Sequence, residues 1–380
     1  MKQPRICIIG LEDYGLLTGE KTTRYVGGES VQHVLLARAW RALGVDVSLL
    51  VFDHGQGRVR DVDGVRAIAT HGRDEGVPVL RFFHPRMTRL VSAMREADAD
   101  IYYQSLAGVH TGVVAWFCRR YGKRFVFRIS SDAYCIPGRQ LIRFKRDQRI
   151  YEYGLRRADL IVAQTEHQRR LLKTHYGLDS EIANMVVEPP SGAPVEKDID
   201  VLWVSNFRAV KRPELAIELA RGLPDLKFVL VGGGEEDYAQ RMRKAAEDLR
   251  NVEFTGPVAY SAIGGYFDRA RVFVNTSSVE GFPNTFLQAW IRGVPVVTFF
   301  DPDDLIARRK LGAKVSNLEQ MTRAVATLAA DEALRRSVGA RAAQFASEQY
   351  SMSAVARSYL DLFNRRFGSL DTRAELANVC

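Results

Sequence analysis

Cysteine is scarce in this chain: four residues in 380, at positions 7, 118, 135 and 380, with no CxxC spacing. That argues against a disulfide framework and against a zinc site built from close cysteine pairs. Cys7 and Cys118 fall on apolar faces and are expected to be buried thiols. No apolar run approaches the roughly 20 residues that cross a bilayer, so no transmembrane helix is expected. Nothing at the start reads as a signal peptide, because MKQPRICIIG passes directly into a strand pattern. The expectation is a cytoplasmic protein. No strand pattern leads into a full G-x-G-x-x-G: IIGLEDYG and VGGGEE both miss the spacing, which counts against an oxidoreductase using a dinucleotide. The seven histidines form no HExxH or similar ligand spacing. No fixed-period repeat and no low-complexity tract is visible.

What the chain does have is length and alternation. With 46% apolar residues it has room for two domains, each burying its own core. In the first half, strand patterns at 4–10, 45–52, 99–104, 124–130 and 160–164 alternate with helical patterns at 30–43 (starting at Ser30), 86–97, 109–121, 140–156 and 165–174. Apolar strands separated by amphipathic helices imply a parallel sheet covered on both faces. EPPSGAPVEKD, at 188–198, has linker composition. The alternation then restarts, with strands at 199–204, 227–232, 252–256, 272–276 and 295–300. Helices fall at about 212–222, 235–249, 259–269, 284–292 and 303–311, and a helical tail at 317–330, 332–348 and 352–367. Two doubly wound α/β domains are expected, with a ligand cleft between the C-terminal edges of their sheets. We expect an N-terminal domain over 1–190, a second domain over 199–350, and a helical tail over 351–380 that crosses back to the first.

The net charge of +9 is unevenly spread. Residues 81–173 hold nineteen Lys/Arg against eight Asp/Glu, while 1–80 balance and the remainder is slightly acidic. Three clusters dominate: Arg81, Arg86 and Arg89; Arg119, Arg120, Lys123 and Arg124; and Arg139, Arg143, Lys145, Arg146 and Arg149. The last is interleaved with Leu141, Ile142 and Phe144. Such a mixture suits a helix on an anionic membrane surface or a polyphosphate partner, and equally an ordinary solvated face. No nucleic-acid partner is expected.

The most informative stretch is EGFPNTFLQAWIRGVP, at 280–295. It follows an apolar strand pattern and becomes a short helix, so an acid, a glycine and a proline sit where ligands bind in open α/β sheets. The first helical N–H groups, near Asn284 and Thr285, attract an anion such as a diphosphate. Glu280 repels phosphate and suits hydroxyl groups instead. Phosphate together with hydroxyls suggests a nucleotide-sugar. A capped helix with an acid near its positive end is the other reading.

These residues resemble glycosyltransferase family 4, the retaining nucleotide-sugar transferases of the GT-B fold, in which two Rossmann-like domains face each other across a cleft. The resemblance covers nearly the whole chain. VNTSSVEGFPNTFLQAWIRGVPVV looks like the family's E-x7-E region. It implies that Glu280 hydrogen-bonds sugar hydroxyls of the donor, and that the turn Gly281, Phe282, Pro283 and Asn284 holds donor oxygens. Pro283 has no N–H to give. The second family acid, which binds the ribose, is replaced by Gln288, which loses charge-assisted strength. In VSNFRAVKRPE the resemblance puts Arg208 and Lys211 on the donor diphosphate, supported by Asn206. YVGGESVQHVLLARAW resembles the first-domain glycine loop, with Gly27 and Gly28 ahead of Ser30 as a helix cap. LVGGGEE resembles the nucleotide-side glycine turn: Gly233 and its neighbours either pack close to the base or simply reverse the chain.

Other signals are weaker. The family's histidine after the fifth strand of the first domain is missing from RISSDAY, leaving Ser130, Ser131 or Asp132 in its place, and His110 is a further cleft candidate. For these, capping or packing competes with substrate binding. Asp61-Val62-Asp63, in a charged loop, and two similar triplets resemble the metal-binding DxD of the other glycosyltransferase fold but stand in unsuitable positions.

The resemblance implies a metal-independent hexosyltransferase with no cofactor beyond its nucleoside-diphosphate sugar. Front-face displacement would move the sugar to an acceptor hydroxyl with retention. The acceptor is expected in cell-surface polysaccharide or glycolipid assembly, with a lipid-linked acceptor and the inner membrane face as open readings. A GT-B-fold epimerase of nucleotide-sugars and a basic membrane- or nucleic-acid-binding module without catalysis are the alternatives.

Overall fold

The computed structural model describes residues 4–20, 27–77, 83–193, 195–278 and 280–368. They form two compact units. Unit one takes the chain up to Glu20, Gly27–Val186 and everything from Met352, and unit two is built on Val187–Ser351.

Unit one is organised on eight strands: β1 (Ile6–Ile9), β2 (Val47–Val51), β3 (Val59–Val62), β4 (Val65–Ala69), β5 (Ile101–Gln104), β6 (Arg124–Arg128), β7 (Leu160–Ala163) and β8 (Glu181–Ile182). Their order is β3-β4-β2-β1-β5-β6-β7-β8. All pairings are parallel except the β3–β4 hairpin. β1, β2, β5 and β7 are buried at every residue, as strands covered on both faces must be. The covering helices are α1 (Tyr14–Thr18), α2 (Gly28–Ala42), α3 (Thr88–Ala97), α4 (Val109–Tyr121), α5 (Lys145–Leu155), α6 (Glu166–Tyr176) and, from the far end of the chain, α14 (Met352–Phe367). α14 lies on α2 through Trp40, whose ring meets Tyr359 at 5.7 Å and Phe363 at 6.0 Å. α4 and α5 approach backbone to backbone at Gly112 and Gly154, where a Cβ on Gly154 would overlap the Thr111 carbonyl.

Unit two has a six-stranded, all-parallel sheet of β9 (Ile199–Val204), β10 (Phe228–Val231), β11 (Val252–Gly256), β12 (Ala270–Asn275), β13 (Val296–Thr298) and β14 (Gly312–Lys314). The order β11-β10-β9-β12-β13-β14 is the doubly wound order, with its reversal between β9 and β12. Its helices are α7 (Pro213–Arg221), α8 (Glu236–Ala245), α9 (Tyr260–Arg269), α10 (Asn284–Ile291), α11 (Leu305–Arg309), α12 (Leu318–Ala330) and α13 (Glu332–Tyr350). Trp203, Trp290 and Phe228 are among the largest side chains wholly enclosed there.

Several sequence expectations need correction. α2 starts at Gly28, not Ser30: Gly27 is the extended N-cap (φ −74°, ψ 145°), and Ser30 lies in the first turn. The helix expected over 140–156 begins only at Lys145, because Phe144 is extended (φ −105°, ψ 134°). Asp61-Val62-Asp63 is not a loop. Asp61 and Val62 end β3, and Asp63 and Gly64 make the hairpin turn with positive φ (53° and 80°). The Asp-Gly pair was the overlooked signal for that hairpin. The helix expected over 303–311 is shorter, and β14 follows it as an unforeseen edge strand.

Candidate active site

In unit two the reversal point between β9 and β12 gathers two loops, 205–212 and 276–283, at the C-terminal edge of the sheet. After β9 the backbone reaches Arg208 in extended conformation, makes a single 3-10 turn over Ala209–Lys211, and enters α7 through Arg212 at φ 47°. After β12 the chain leads to Glu280. The Lys211 Nζ lies 2.6 Å from Glu280 Oε1, with the two side chains 23% and 12% exposed. Asn275 Nδ2 donates to the same oxygen at 3.4 Å. The expected acid and lysine therefore meet, but as each other's partner. A largely desolvated pair like this strengthens both charges' hold on position. The Arg208 side chain is exposed and makes no ion pair among the described residues. Asn206, two residues earlier, is partly buried.

The sequence reading missed the residues that hold this pair. Trp203 Nε1 donates to Thr276 Oγ1 at 2.9 Å, and that hydroxyl lies 2.7 Å and 2.9 Å from the carbonyls of Lys211 and Arg212. Arg212 Nε donates to the Thr276 carbonyl at 2.7 Å, and Ser278 N to the Val210 carbonyl at 2.9 Å. The two loops are thus sewn together across the strand reversal. No local pattern announces such bonds, because their partners lie more than 60 residues apart.

The turn leading into α10 divides its labour. Phe282 is buried against Tyr350 (5.6 Å) and Trp290 (6.2 Å), so its ring anchors the turn in the core. Pro283 is buried and caps α10. Gly281, Asn284, Thr285 and Gln288 keep partial exposure. The Gln288 Oε1 is buried with no hydrogen-bond partner among the described residues.

Gly233 is packed against the neighbouring loop. It is buried, a Cβ on it would sit 2.7 Å from Pro257 Cγ, and its carbonyl accepts from Phe207 N at 2.8 Å. Added Cβ atoms on Gly232 and Gly234 would overlap the carbonyls of Ser205 and Phe207. The run is glycine because the turn after β10 lies directly on the loop that presents Arg208 and Lys211.

In unit one the strand order reverses at β1 and β5. Gly27 and Gly28 are exposed, and among the described residues a Cβ on Gly27 would meet nothing closer than Ser30 Oγ at 4.0 Å, so their packing does not demand glycine at position 27. Next to them, Glu29 accepts from Arg128 Nη1 at 2.9 Å and 3.2 Å. Arg128 is completely buried, and its Nε and Nη2 have no partner among the described residues. Burial opposes its charge, yet Glu29, Tyr103 and Tyr359 together outweigh this and raise its pKa. One turn further along α2, His33 Nδ1 lies 2.7 Å from Asp13 Oδ2, and His33 Nε2 lies 2.5 Å from Ser105 Oγ. All three are buried. This relay was invisible in the sequence, since 72 residues separate His33 from Ser105.

Asp132 starts a 3-10 turn capped by Ser131, and it accepts from Gln168 Nε2 at 3.0 Å. Ser130 Oγ donates to the Ser105 carbonyl at 3.1 Å. His110 sits in the first turn of α4, and burial, helped by His71 and Arg86, lowers its pKa to about 4. It is therefore neutral at pH 7.

Of the basic clusters, Arg81 lies outside the described residues. Lys123 pairs with Asp98 (2.8 Å), and Arg89 with Glu75 (2.8 Å). Arg139, Arg143, Lys145, Arg146 and Arg149 are exposed, beside Leu141 (86% exposed) and Phe144 (54%). Cys7, Cys118 and Cys135 are buried free thiols. Among the described residues no group of three His, Cys, Asp or Glu could hold a metal ion, and no helix is long and apolar enough to cross a membrane.

Comparison with known proteins defines the class. Residues 187–345 match the model for glycosyl transferases group 1, and residues 27–190 match the glycosyl transferase 4-like domain. The chain belongs to glycosyltransferase family 4, with the GT-B fold. It is 29% identical over 190 residues to the lipopolysaccharide core biosynthesis glycosyltransferase LpsE of Rhizobium meliloti, covering 46% of this chain and 51% of that protein. It is 24% identical over 233 residues to the poly(ribitol-phosphate) alpha-N-acetylglucosaminyltransferase of Staphylococcus aureus, covering 58% and 47%. The chain thus spans about half the length of these curated relatives. Among solved structures, sucrose-phosphate synthase from Thermosynechococcus elongatus superposes with a TM-score of 0.74 at 17% identity, covering 96% and 99% of the two chains. Anabaena HepE, solved with UDP and glucose, gives 0.72 at 14% identity over 95% and 100%. These structural likenesses speak to fold alone.

Proposed function

We propose that this protein is a hexosyltransferase that moves a sugar from a nucleoside-diphosphate sugar to an acceptor hydroxyl with retention at the anomeric carbon. The observation that carries the reading is the Lys211–Glu280 pair, 2.6 Å apart at the strand reversal of unit two. When a donor binds, Lys211 and Arg208 take the diphosphate, Glu280 takes sugar hydroxyls, and α10 offers its N-terminal end to phosphate oxygens. The bond from the anomeric carbon to the phosphate oxygen breaks, and a bond to the acceptor oxygen forms on the same face. The acceptor proton passes to the leaving phosphate. Fixed cations stabilise the charge that develops there. No protein nucleophile, metal or cofactor enters this scheme.

Two observations bear on the acceptor. The curated relatives carry names that refer to lipopolysaccharide core biosynthesis, poly(ribitol-phosphate) and a diphospho-undecaprenol-linked sugar. On unit one, exposed Leu141 and Phe144 among five exposed basic residues suit an anionic membrane surface. We therefore assign the enzyme to cell-surface polysaccharide or glycolipid assembly, peripheral to the cytoplasmic face of a membrane.

The test is a thermal-shift screen of UDP, GDP and dTDP, followed by turnover with the matching sugar nucleotides. Stabilisation by one nucleoside diphosphate and donor-dependent sugar transfer are expected. Wild-type turnover in both Lys211→Ala and Glu280→Ala would overturn the site assignment. An epimerised sugar after incubation with donor alone would replace transfer with epimerisation.

A further inference from the structure

At the C-terminal edge of the second sheet, past β13 and β14, lies a cavity of about 430 Å³ that the proposed transfer does not use. Arg212, Leu215, Phe299 and residues 314–318 line it, and neither Lys211 nor Glu280 is among them. Its walls follow from the sheet. Thr298, the last residue of β13, stands opposite Lys314, the last of β14, and the Val315 N–H donates to the Thr298 carbonyl at 2.9 Å. Phe299 and Val315 therefore leave the sheet side by side. From there the chain runs through Asn317 into α12, while Arg212 leads into α7. The guanidinium carbon of Arg212 lies 4.8 Å from the centre of the Phe299 ring, whose face steadies the cation.

The lining carries two cations and no acid. Arg212 spends Nε on the Thr276 carbonyl (2.7 Å) and Nη2 on the Ser277 carbonyl (3.3 Å); its Nη1 makes no hydrogen bond among the described residues, and no carboxylate there neutralises it. Lys314 is exposed and forms no ion pair among the described residues. The acid its charge reaches is Asp301, whose oxygens accept from the Ile306 and Ala307 N–H groups at 2.8 and 3.0 Å. Glu319, in the first turn of α12, pairs with Arg323 at 3.4 Å and does not line the cavity. At the start of α12 the Ser316 N–H is taken by Gln320 Oε1 and the Gln320 N–H by Asn317 Oδ1, both at 2.9 Å. The N–H groups of Leu318 and Glu319 stay uncommitted at the positive end of a 13-residue helix. Two cations and a helix start around one cavity suit a dianion. Leu215 and Leu318 beside Ser316 and Asn317 add the mixed wall that a small organic body needs.

We propose that this cavity is an effector site for a small phosphate monoester of a sugar or polyol, coupled to the donor loops through Arg212. The coupling rests on the transferase reading; the anion site itself does not. Its size, near the lower end of the roughly 300–1,000 Å³ range of small-molecule sites, matches one such ligand. Lys314 and Arg212 take the phosphate, and the polar wall takes hydroxyls. The guanidinium that meets the ligand is the one that holds the carbonyls of Thr276 and Ser277, next in sequence to Lys211. A ligand on Nη1 fixes that guanidinium in place, so the loops bearing Lys211 and Glu280 lose less freedom when a nucleoside diphosphate arrives, and it binds more tightly.

The experiment follows the backbone amide signals of Ser316 and Leu318 in the full chain by NMR during titration with glucose 6-phosphate, inorganic phosphate and, as the uncharged control, glucose. Millimolar glucose 6-phosphate should move both signals, inorganic phosphate should bind more weakly, and glucose should leave them still. Lys314→Gln should weaken glucose 6-phosphate binding roughly fivefold and Lys314→Glu more than about tenfold. Lys211→Ala should keep the response. UDP, titrated with and without glucose 6-phosphate, should bind about fivefold more tightly in its presence. Unmoved Ser316 and Leu318 signals in the wild-type protein would overturn the site, and so would wild-type affinity in Lys314→Glu. A response abolished by Lys211→Ala would put the phosphate on the donor loops and overturn it equally. Equal affinity for inorganic phosphate and glucose 6-phosphate would overturn the monoester as ligand. UDP affinity unchanged by glucose 6-phosphate removes the coupling and keeps the site. A chain that responds at Ser316 yet never binds a nucleoside diphosphate removes the transferase reading and keeps the site.

Discussion

In unit two Lys211 and Glu280 match each other at the sheet's C-terminal edge, and the surrounding loops satisfy one another's carbonyls. In unit one, by contrast, Arg128 is buried with one nitrogen on Glu29, and neither its other two nitrogens nor His71 Nε2 has a hydrogen-bond partner among the described residues. A matched edge keeps its geometry whether or not a ligand arrives. An unmatched edge holds electrostatic energy that a suitable ligand relieves. The two units share a fold class and a strand reversal, yet they differ in how the charges at those edges are partnered.

The comparison can be tested from its strongest contrast downward. Glu29→Ala strands the Arg128 guanidinium in a buried site and should cost about 3–5 kcal/mol of stability, read by urea unfolding. Adding Arg128→Met to it should recover part of that loss, and a double variant as unstable as the single would show that shape, not charge, is at stake. In unit two, Glu280→Gln removes one charge from a largely desolvated pair but leaves an amide oxygen that can still accept from Lys211, so stability should fall by less than in Glu29→Ala, on the order of 1–2 kcal/mol. Transfer should nevertheless fall roughly 100- to 1000-fold. Equal damage to folding and turnover would erase the distinction between the edges.

A smaller effect concerns acid. The folded pKa of His110, about 4, lies below its ordinary 6.5. The unfolded chain therefore binds the proton more readily, and stability is whole above pH 6.5 and drains away as pH falls towards 4. His110→Gln should flatten that part of the urea midpoint profile. The weakest prediction is Gln288→Glu. A carboxylate at this half-buried position should tighten nucleoside diphosphate binding roughly fivefold through charge-assisted bonds to the ribose, measured by calorimetry.

How legible each edge was in the sequence follows from chain distance. The strand at 270–275 and the motif from Glu280 to Gln288 are continuous, so apolar run, acid, glycine and helix start could be read in one pass. The fold class followed from the same alternation. The start of α2 was misplaced because its cap is glycine, which offers no side chain to signal it. Trp203 with Thr276, and Asp13 with His33 and Ser105, could not be paired in advance. Parallel crossovers bring them together only after the intervening helices have packed.

The placement of α14 has a consequence for synthesis. Tyr359 and Phe363, which close over Trp40 and Tyr103, are translated after every residue of unit two. The ribosome therefore releases a second unit whose main segment is uninterrupted, while the first waits with an uncovered aromatic face until the last helix emerges. A chain cut before Met352 would leave that face in water with the Glu280 motif already complete.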